Sequence, residues 1–175
     1  SATNETGTDT KTLVITVGQA NQVITFNTLS GKTYGDASFS LNGTSTSGLA
    51  LTYSSSNTAV ATISGNTVTI LGVGTTSITA SQSGDANYFA ASDVFQDLVV
   101  NKANQTITFT ALLDKNDTAG SFLLDATATS GLTVSYTSSN TSVVSVSGNI
   151  ATVVAPGTTI ITASQEGNDN FNAAS

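Results

Sequence analysis

The chain contains no cysteine, methionine, histidine or tryptophan, and a single proline. Without thiols there is no disulfide framework and no thiolate metal site, and without imidazole the commonest general base and metal ligand are missing. Absence of cysteine fits either a reducing cytoplasm or an exported bacterial protein. Charged residues make up only 9% of the sequence, so its stability has to come from burial of Val, Ile, Leu, Phe and Tyr rather than from a lattice of ion pairs. Four basic residues against eleven acidic ones, a net charge of -7, leave too little positive charge to hold nucleic-acid phosphates or an anionic lipid surface. No apolar run approaches the roughly 20 residues of a membrane span, and the first residues lack the basic and apolar regions of a signal peptide. On these grounds the sequence reads as an internal piece of something longer.

What is present is a repeat. Residues 21–92 align without a gap on 104–175, a spacing of 83, with 38 identities in 72 positions. Asn21-Gln22-Val23-Ile24-Thr25-Phe26 returns as Asn104-Gln105-Thr106-Ile107-Thr108-Phe109, and Ile78-Thr79-Ala80-Ser81-Gln82 returns as Ile161-Thr162-Ala163-Ser164-Gln165. This period is far above the roughly 20 to 50 residues of solenoids, so each copy is expected to be a domain with its own core.

Within a period, apolar residues alternate with polar ones in short runs broken by Gly, Asn and Ser, the signature of strands. In the first copy the runs predict strands at 23–26, 38–41, 51–54, 60–63, 67–71, 75–81 and 95–100. The second repeats the first six at 106–109, 121–124, 134–137, 143–146, 150–154 and 158–164. Comparison of the copies sets the inward face: Ala61 and Ile63 become Val144 and Val146, while Thr62 between them becomes Ser145. That reasoning places Ile24, Phe26, Leu51, Tyr53, Val68, Ile70, Ile78 and Ala80 in one core, and Ile107, Phe109, Val134, Tyr136, Val153, Ile161 and Ala163 in the other. Ser64-Gly65-Asn66 and Ser147-Gly148-Asn149 are expected to form tight hairpins.

The ends are out of phase with these units. Thr10–Val17 aligns with Asp93–Val100, and Ser175 is equivalent to Ser92. The expected organisation is therefore 1–17 as the last strand of a preceding unit, 18–103 as the first repeat, and 104–175 as a second repeat lacking its final strand.

The stretch Tyr53-Ser54-Ser55-Ser56-Asn57-Thr58-Ala59-Val60-Ala61-Thr62-Ile63-Ser64-Gly65-Asn66, followed by Gly74-Thr75-Thr76-Ser77-Ile78-Thr79-Ala80, resembles the bacterial immunoglobulin-like repeats of surface adhesins. Lys32-Thr33-Tyr34-Gly35-Asp36 is similar to a subgroup found in long tandem arrays on secreted bacterial proteins, although the second copy reads Lys115-Asn116-Asp117-Thr118-Ala119 there. The resemblance covers about residues 19–175, and 1–17 is similar to the tail of another such module. It implies an all-β fold of tandem immunoglobulin-like β-sandwiches, Greek-key and of about seven strands each, with a spacer role, an extracellular or cell-surface location and no catalytic residues.

Candidate sites are few. No acidic or lysine residue recurs in a motif that would replace the missing His and Cys, so the chain is not expected to be an enzyme. The Ser54–Ser56 and Ser138–Ser139 clusters read as turn residues whose hydroxyls bond nearby backbone. No cofactor is expected; the weak exception is calcium, for which Asp36, Asp85, Asp93 and Asp97 are candidates near a joint, without the dense alternating carboxylates of a strong site. Five glycosylation sequons, at Asn4, Asn42, Asn104, Asn116 and Asn140, follow from composition. Tyr34 and Tyr88 are the aromatics outside predicted strand cores in the first copy; Tyr88 becomes Phe171, which reads as a loop plug, and Tyr34 becomes Asp117, so no aromatic binding surface is common to both.

The expected function is a spacer or stalk of a bacterial surface adhesin or secreted multidomain protein. Its partners are adjacent units of the same chain or neighbouring copies, joined by links such as Val100-Asn101-Lys102-Ala103-Asn104. The phase of the ends adds a homopolymer version, in which strand 10–17, through Leu13, Ile15 and Val17, completes the open second repeat of a neighbour head to tail. The alternative is a glycan- or protein-binding module accessory to an extracellular enzyme, which would cluster aromatic or charged residues at one loop end.

Overall fold

In the computed structural model, which describes residues 13–175, the chain is all-β and no described residue is helical. The first repeat contributes β1 (Ile24–Thr25), β2 (Lys32–Thr33), β3 (Phe39–Ser40), β4 (Thr44–Ser45), β5 (Thr52–Ser55), β6 (Ala61–Ser64), β7 (Thr67–Ile70), β8 (Gly74–Ser81) and β9 (Val94–Asn101). The second contributes β10 (Ile107–Phe109), β11 (Ser121–Leu123), β12 (Ala126–Ala128), β13 (Ser135–Ser138), β14 (Val144–Ser147), β15 (Ile150–Val153) and β16 (Ile161–Ser164).

In the first repeat a four-stranded sheet, β2-β9-β8-β5, is accompanied by a three-stranded sheet, β3-β7-β6, and by the pair β1-β4. Alternation turns one face of each sheet inward, so Ile78, Ala80, Leu98 and Val100 of the first sheet pack with Ala61 and Val68 of the second in one sandwich-like core, with Ile24 and Phe26 joining them. Ala61, Val68, Ile78, Ala80 and Leu98 lose all contact with solvent. The hairpin between β6 and β7 closes over Gly65 and Asn66, with Ser64 opposite Thr67. Positive φ is confined to the glycine, at 61°, as in a two-residue turn with Gly at its first central position.

All seven strands expected in the first repeat are present. Two were not expected: β2 and β4 are two residues long, too short for alternation to register. The core differs by degree. Leu51, Tyr53 and Ile70 are half-buried, whereas Leu41, Val60, Leu98 and Val100, absent from the expected core, are buried.

The second repeat reproduces the pattern with one systematic loss. β11-β15-β14 and β10-β12 match β3-β7-β6 and β1-β4, but the remaining sheet is reduced to β13-β16. In the first repeat β9 pairs antiparallel with β8 from Gly74 to Ala80 and parallel with β2. The position equivalent to β9 falls after residue 175, the last of the sequence, and within 104–175 two further elements are absent. Residues 115–116, equivalent to β2, form no strand, and the expected strand 158–164 shrinks to Ile161–Ser164, the part that β13 still pairs. The core loosens accordingly. Ile78 and Thr76 are buried, while their equivalents Ile161 and Thr159 are half-buried, as are Ile107, Phe109, Val134, Tyr136 and Val153; Leu124, Ala151 and Ala163 remain buried.

Of the expected strand 10–17, residues 10–12 lie outside the described residues. Leu13–Val17 forms no strand and leaves Leu13, Ile15 and Val17 73–88% exposed.

Unequal closure predicts unequal stability. In a chain ending at Ser175, native-state hydrogen exchange should show the amides of Thr162 and Ala163 opening more readily than those of Thr79 and Ala80. Equal protection at the two pairs would contradict the loosened second core.

Candidate functional site

The joint between the repeats is the most elaborated feature built from residues of both. β9 runs to Asn101, whose carbonyl accepts the Tyr34 N–H at 2.9 Å. Two residues on, Ala103 bridges to Phe171 of the second repeat: its N–H donates to the Asn170 carbonyl (2.9 Å), and its carbonyl accepts the Asn172 N–H (2.8 Å). Only Lys102 is left between the two anchored ends, and its Nζ donates to the Asn168 carbonyl at 2.7 Å. The link expected over 100–104 is thus hydrogen-bonded on both sides and has almost no free length.

Side chains reinforce it. Tyr34 meets Phe171 edge to face, with ring centroids 5.5 Å apart at 82°. The Val73 N–H donates to Asn170 Oδ1 at 3.3 Å. Tyr34 therefore packs on the neighbouring repeat, and Phe171, read from sequence as a plug within its own loop, supplies the other ring. The loop carrying Tyr34 is held by the turn at Asp36, whose Oδ2 accepts the Thr33 N–H (2.9 Å), and Lys32 lies over the Phe39 ring at 4.7 Å. The second repeat keeps the Lys115–Phe122 contact but has Asp117 where Tyr34 stands, Ala155 for Gly72 and Pro156 for Val73, and proline has no N–H to donate.

The calcium candidates are dispersed. Asp36 sits in the turn at the joint and Asp97 stands mid-strand in β9 opposite Ser77, with Asp93 just before that strand. Asp85 lies in the loop that anchors Ala20, where the Asp85 Oδ1 accepts the N–H groups of Asn87 and Tyr88 at 2.8 and 2.9 Å. Among the described residues no three acidic side chains come together in a metal-binding group. In the second copy Asn168 Oδ1 accepts from Asn170 and Phe171, both at 2.9 Å, so a neutral carbonyl does at 168 what the carboxylate does at 85. Oxygen geometry, not charge, is what this turn uses.

Sequence reasoning missed a buried glutamine network. Gln22 is 6% exposed; its Nε2 donates to Gln82 Oε1 and to the Phe89 carbonyl, both at 2.7 Å, and its Oε1 accepts from Ser47 Oγ at 2.5 Å. Gln105 repeats this with Gln165 Oε1 (2.5 Å), the Asn172 carbonyl (2.7 Å) and Ser130 Oγ. The network ties the entry segment, the turn after β4 and the loop after β8. Its signal in sequence was the identity of both glutamines in both copies. The serine clusters are turn residues only in part: Ser54 and Ser55 lie in β5 and Ser138 in β13, while Ser56 Oγ accepts the Ser77 N–H and Ser139 Oγ the Ile160 N–H, both at 2.9 Å and from a segment 21 residues away.

Two hollows lie along the unpaired edge of β16. One, of about 350 Å³, is lined by Phe109, Leu112, Thr159 and Ile161 among others. The next, of about 460 Å³, shares Leu112, Thr159 and Ile161 with it and adds Phe122, Val143 and Val153. A third opening in the same repeat, about 850 Å³, runs between β12 and β13 past Asp125 and Tyr136. The Tyr136 hydroxyl there is already engaged, accepting the Ala126 N–H at 2.7 Å. No family model matches the chain, and a search of curated proteins finds no match either.

Two substitutions separate turn chemistry from charge. Asp85→Asn should leave thermal stability within about 0.5 kcal/mol, whereas Asp85→Ala should cost about 1 kcal/mol by orphaning two N–H groups. Gln22→Ala, which strands the Ser47 and Gln82 groups in the interior, should cost roughly 3 kcal/mol by chemical denaturation.

Proposed function

We propose that the chain is a spacer: tandem immunoglobulin-like β-sandwiches forming part of the stalk of a bacterial cell-surface adhesin or secreted multidomain protein, without catalysis of its own. The observation that supports this reading is the joint. Independently folded repeats on a free linker would tumble relative to one another, and relative motion is the ordinary behaviour of domains with small interfaces. Here the linker is anchored at Asn101 and Ala103, and Tyr34–Phe171 and Val73–Asn170 restrain rotation about it. A stalk needs that property, since restricted bending at each joint lets a series of units project whatever lies at its tip. The composition suits the same task, because Ser, Thr, Asn and Gly keep long surfaces soluble without strong charge.

The second repeat's Asp117, Ala155 and Pro156 make the joint a property of this particular pair of ends rather than of every end in the chain. Stiffness is therefore specified locally, and a single side chain should control it.

Cysteine-free wild type makes the test direct. Spin labels on Ser40→Cys and Ser147→Cys, both at exposed positions, should give one narrow inter-label distance distribution. Tyr34→Asp, which installs the residue of the second repeat, should roughly double its width. A distribution already broad in the parent chain would refute the spacer reading.

A further inference from the structure

We propose that Asn42 is a site of self-modification: its side chain loses ammonia to the backbone nitrogen of Gly43, and the chain acquires there the carboxylate that the second repeat already carries as Asp125. This stands apart from the spacer reading, since it needs neither the joint nor its stiffness.

Asn42 is the one asparagine in the sequence followed by glycine. Every other is followed by a residue with a side chain, a β-branched one after Asn27, Asn57, Asn66, Asn140 and Asn149. Such a side chain crowds the backbone nitrogen that must close on the asparagine amide. At Gly43 there is none, and packing is the reason. Gly43 takes no positive φ, so no turn demands it. A Cβ there, however, would sit 2.8 Å from both Leu51 Cδ1 and the Tyr53 hydroxyl, and 3.3 Å from the Thr25 carbonyl oxygen. The contact between this segment and β5 therefore excludes the group that would shield the nitrogen.

The attacking atom is also uncommitted. In the second repeat the equivalent Ala126 N–H is held by the Tyr136 hydroxyl at 2.7 Å. The Gly43 N–H donates no hydrogen bond among the described residues. Asn42 itself is exposed, so water reaches its amide. Asn57, Asn140 and Asn168, by contrast, hold their Oδ1 in hydrogen bonds from the backbone two residues on.

The Gly43 nitrogen bonds to Asn42 Cγ as its proton passes to solvent; the Cγ–Nδ2 bond breaks and ammonia leaves, closing a cyclic imide. Water then opens the ring at one of its two carbonyl carbons. Cleavage at Cγ restores the ordinary backbone with aspartate at 42. Cleavage at the main-chain carbon leaves isoaspartate, with the chain running through Cβ and Cγ. One water is consumed and one ammonia released, nothing is oxidised or reduced, and one added carboxylate takes the net charge from -7 to -8. Aspartate suits the fold, since Asp125 occupies this position in the second repeat. Isoaspartate inserts a backbone atom between two fixed points: Leu41, whose N–H is held by the Asn66 carbonyl at 2.8 Å, and Thr44, paired with Thr25.

Held folded at physiological temperature, the 175-residue chain should gain about one dalton per molecule with time, and fragmentation should place the gain at residue 42 as a mixture of aspartate and isoaspartate. The other asparagines should react at least about tenfold more slowly. Asn42→Gln, which would have to close a larger ring, should show no gain at this position. Gly43→Ala with Leu51→Val installs the pair that the second repeat carries as Ala126 and Val134, and should slow the reaction by about tenfold or more. No gain at residue 42, gains at similar rates across the asparagines, aspartate without its isomer, or a rate unmoved by the double substitution would each overturn the proposal.

Discussion

The antiparallel ladder between β8 and β9 is the interaction on which the rest of the first repeat depends. It joins residues far enough apart in sequence to enclose a whole loop, it delivers Leu98 and Val100 to the core, and it gives β2 a strand to pair with. Burying those two side chains contributes about 2 kcal/mol each, and the ladder satisfies the backbone of the N-terminal half of β8. The second repeat shows what happens without it. Gly157, Thr158 and Thr159 repeat Gly74, Thr75 and Thr76 yet hold no strand within 104–175, because propensity for extended structure is realised only against a partner.

A second constraint acts at the ends of the units. Each repeat seats the chain entering it by a single residue, Ala20 against Tyr88 and Ala103 against Phe171, on a loop shaped by one side-chain oxygen and backed by a buried glutamine. These polar groups are satisfied where they are buried; among the described residues no buried side-chain nitrogen or oxygen lacks a partner. In an interior with few charges, such a network fixes where the loop sits more sharply than apolar packing does. The joint inherits that precision, since Asn170 and Phe171 emerge from the same loop to meet Val73 and Tyr34.

The two copies diverge in an informative way. Residues that seat the incoming chain are kept or replaced by equivalents: Asp85 by Asn168, Tyr88 by Phe171, Asn87 by Asn170. Those offering the opposite end to a following unit are not, Tyr34 giving way to Asp117 and Val73 to Pro156. A repeat is thus uniform in how it receives a neighbour and individual in how it presents itself to the next.

The sequence by itself determined the period, the strand positions over most of each copy, the inward face and the glycine turn at Gly65, because alternation and turn chemistry are local. It also placed Ile15 and Val17 in phase with Leu98 and Val100. Tertiary structure alone decided the short β2 and β4, which exist through their partners; the role of Tyr34, whose contact lies in the other copy; the burial of Gln22 and Gln105, polar residues enclosed only when three segments converge; and the dispersal of the four aspartates. What a residue faces across the fold depends on segments that come together only when the chain closes, and no local pattern carries that information.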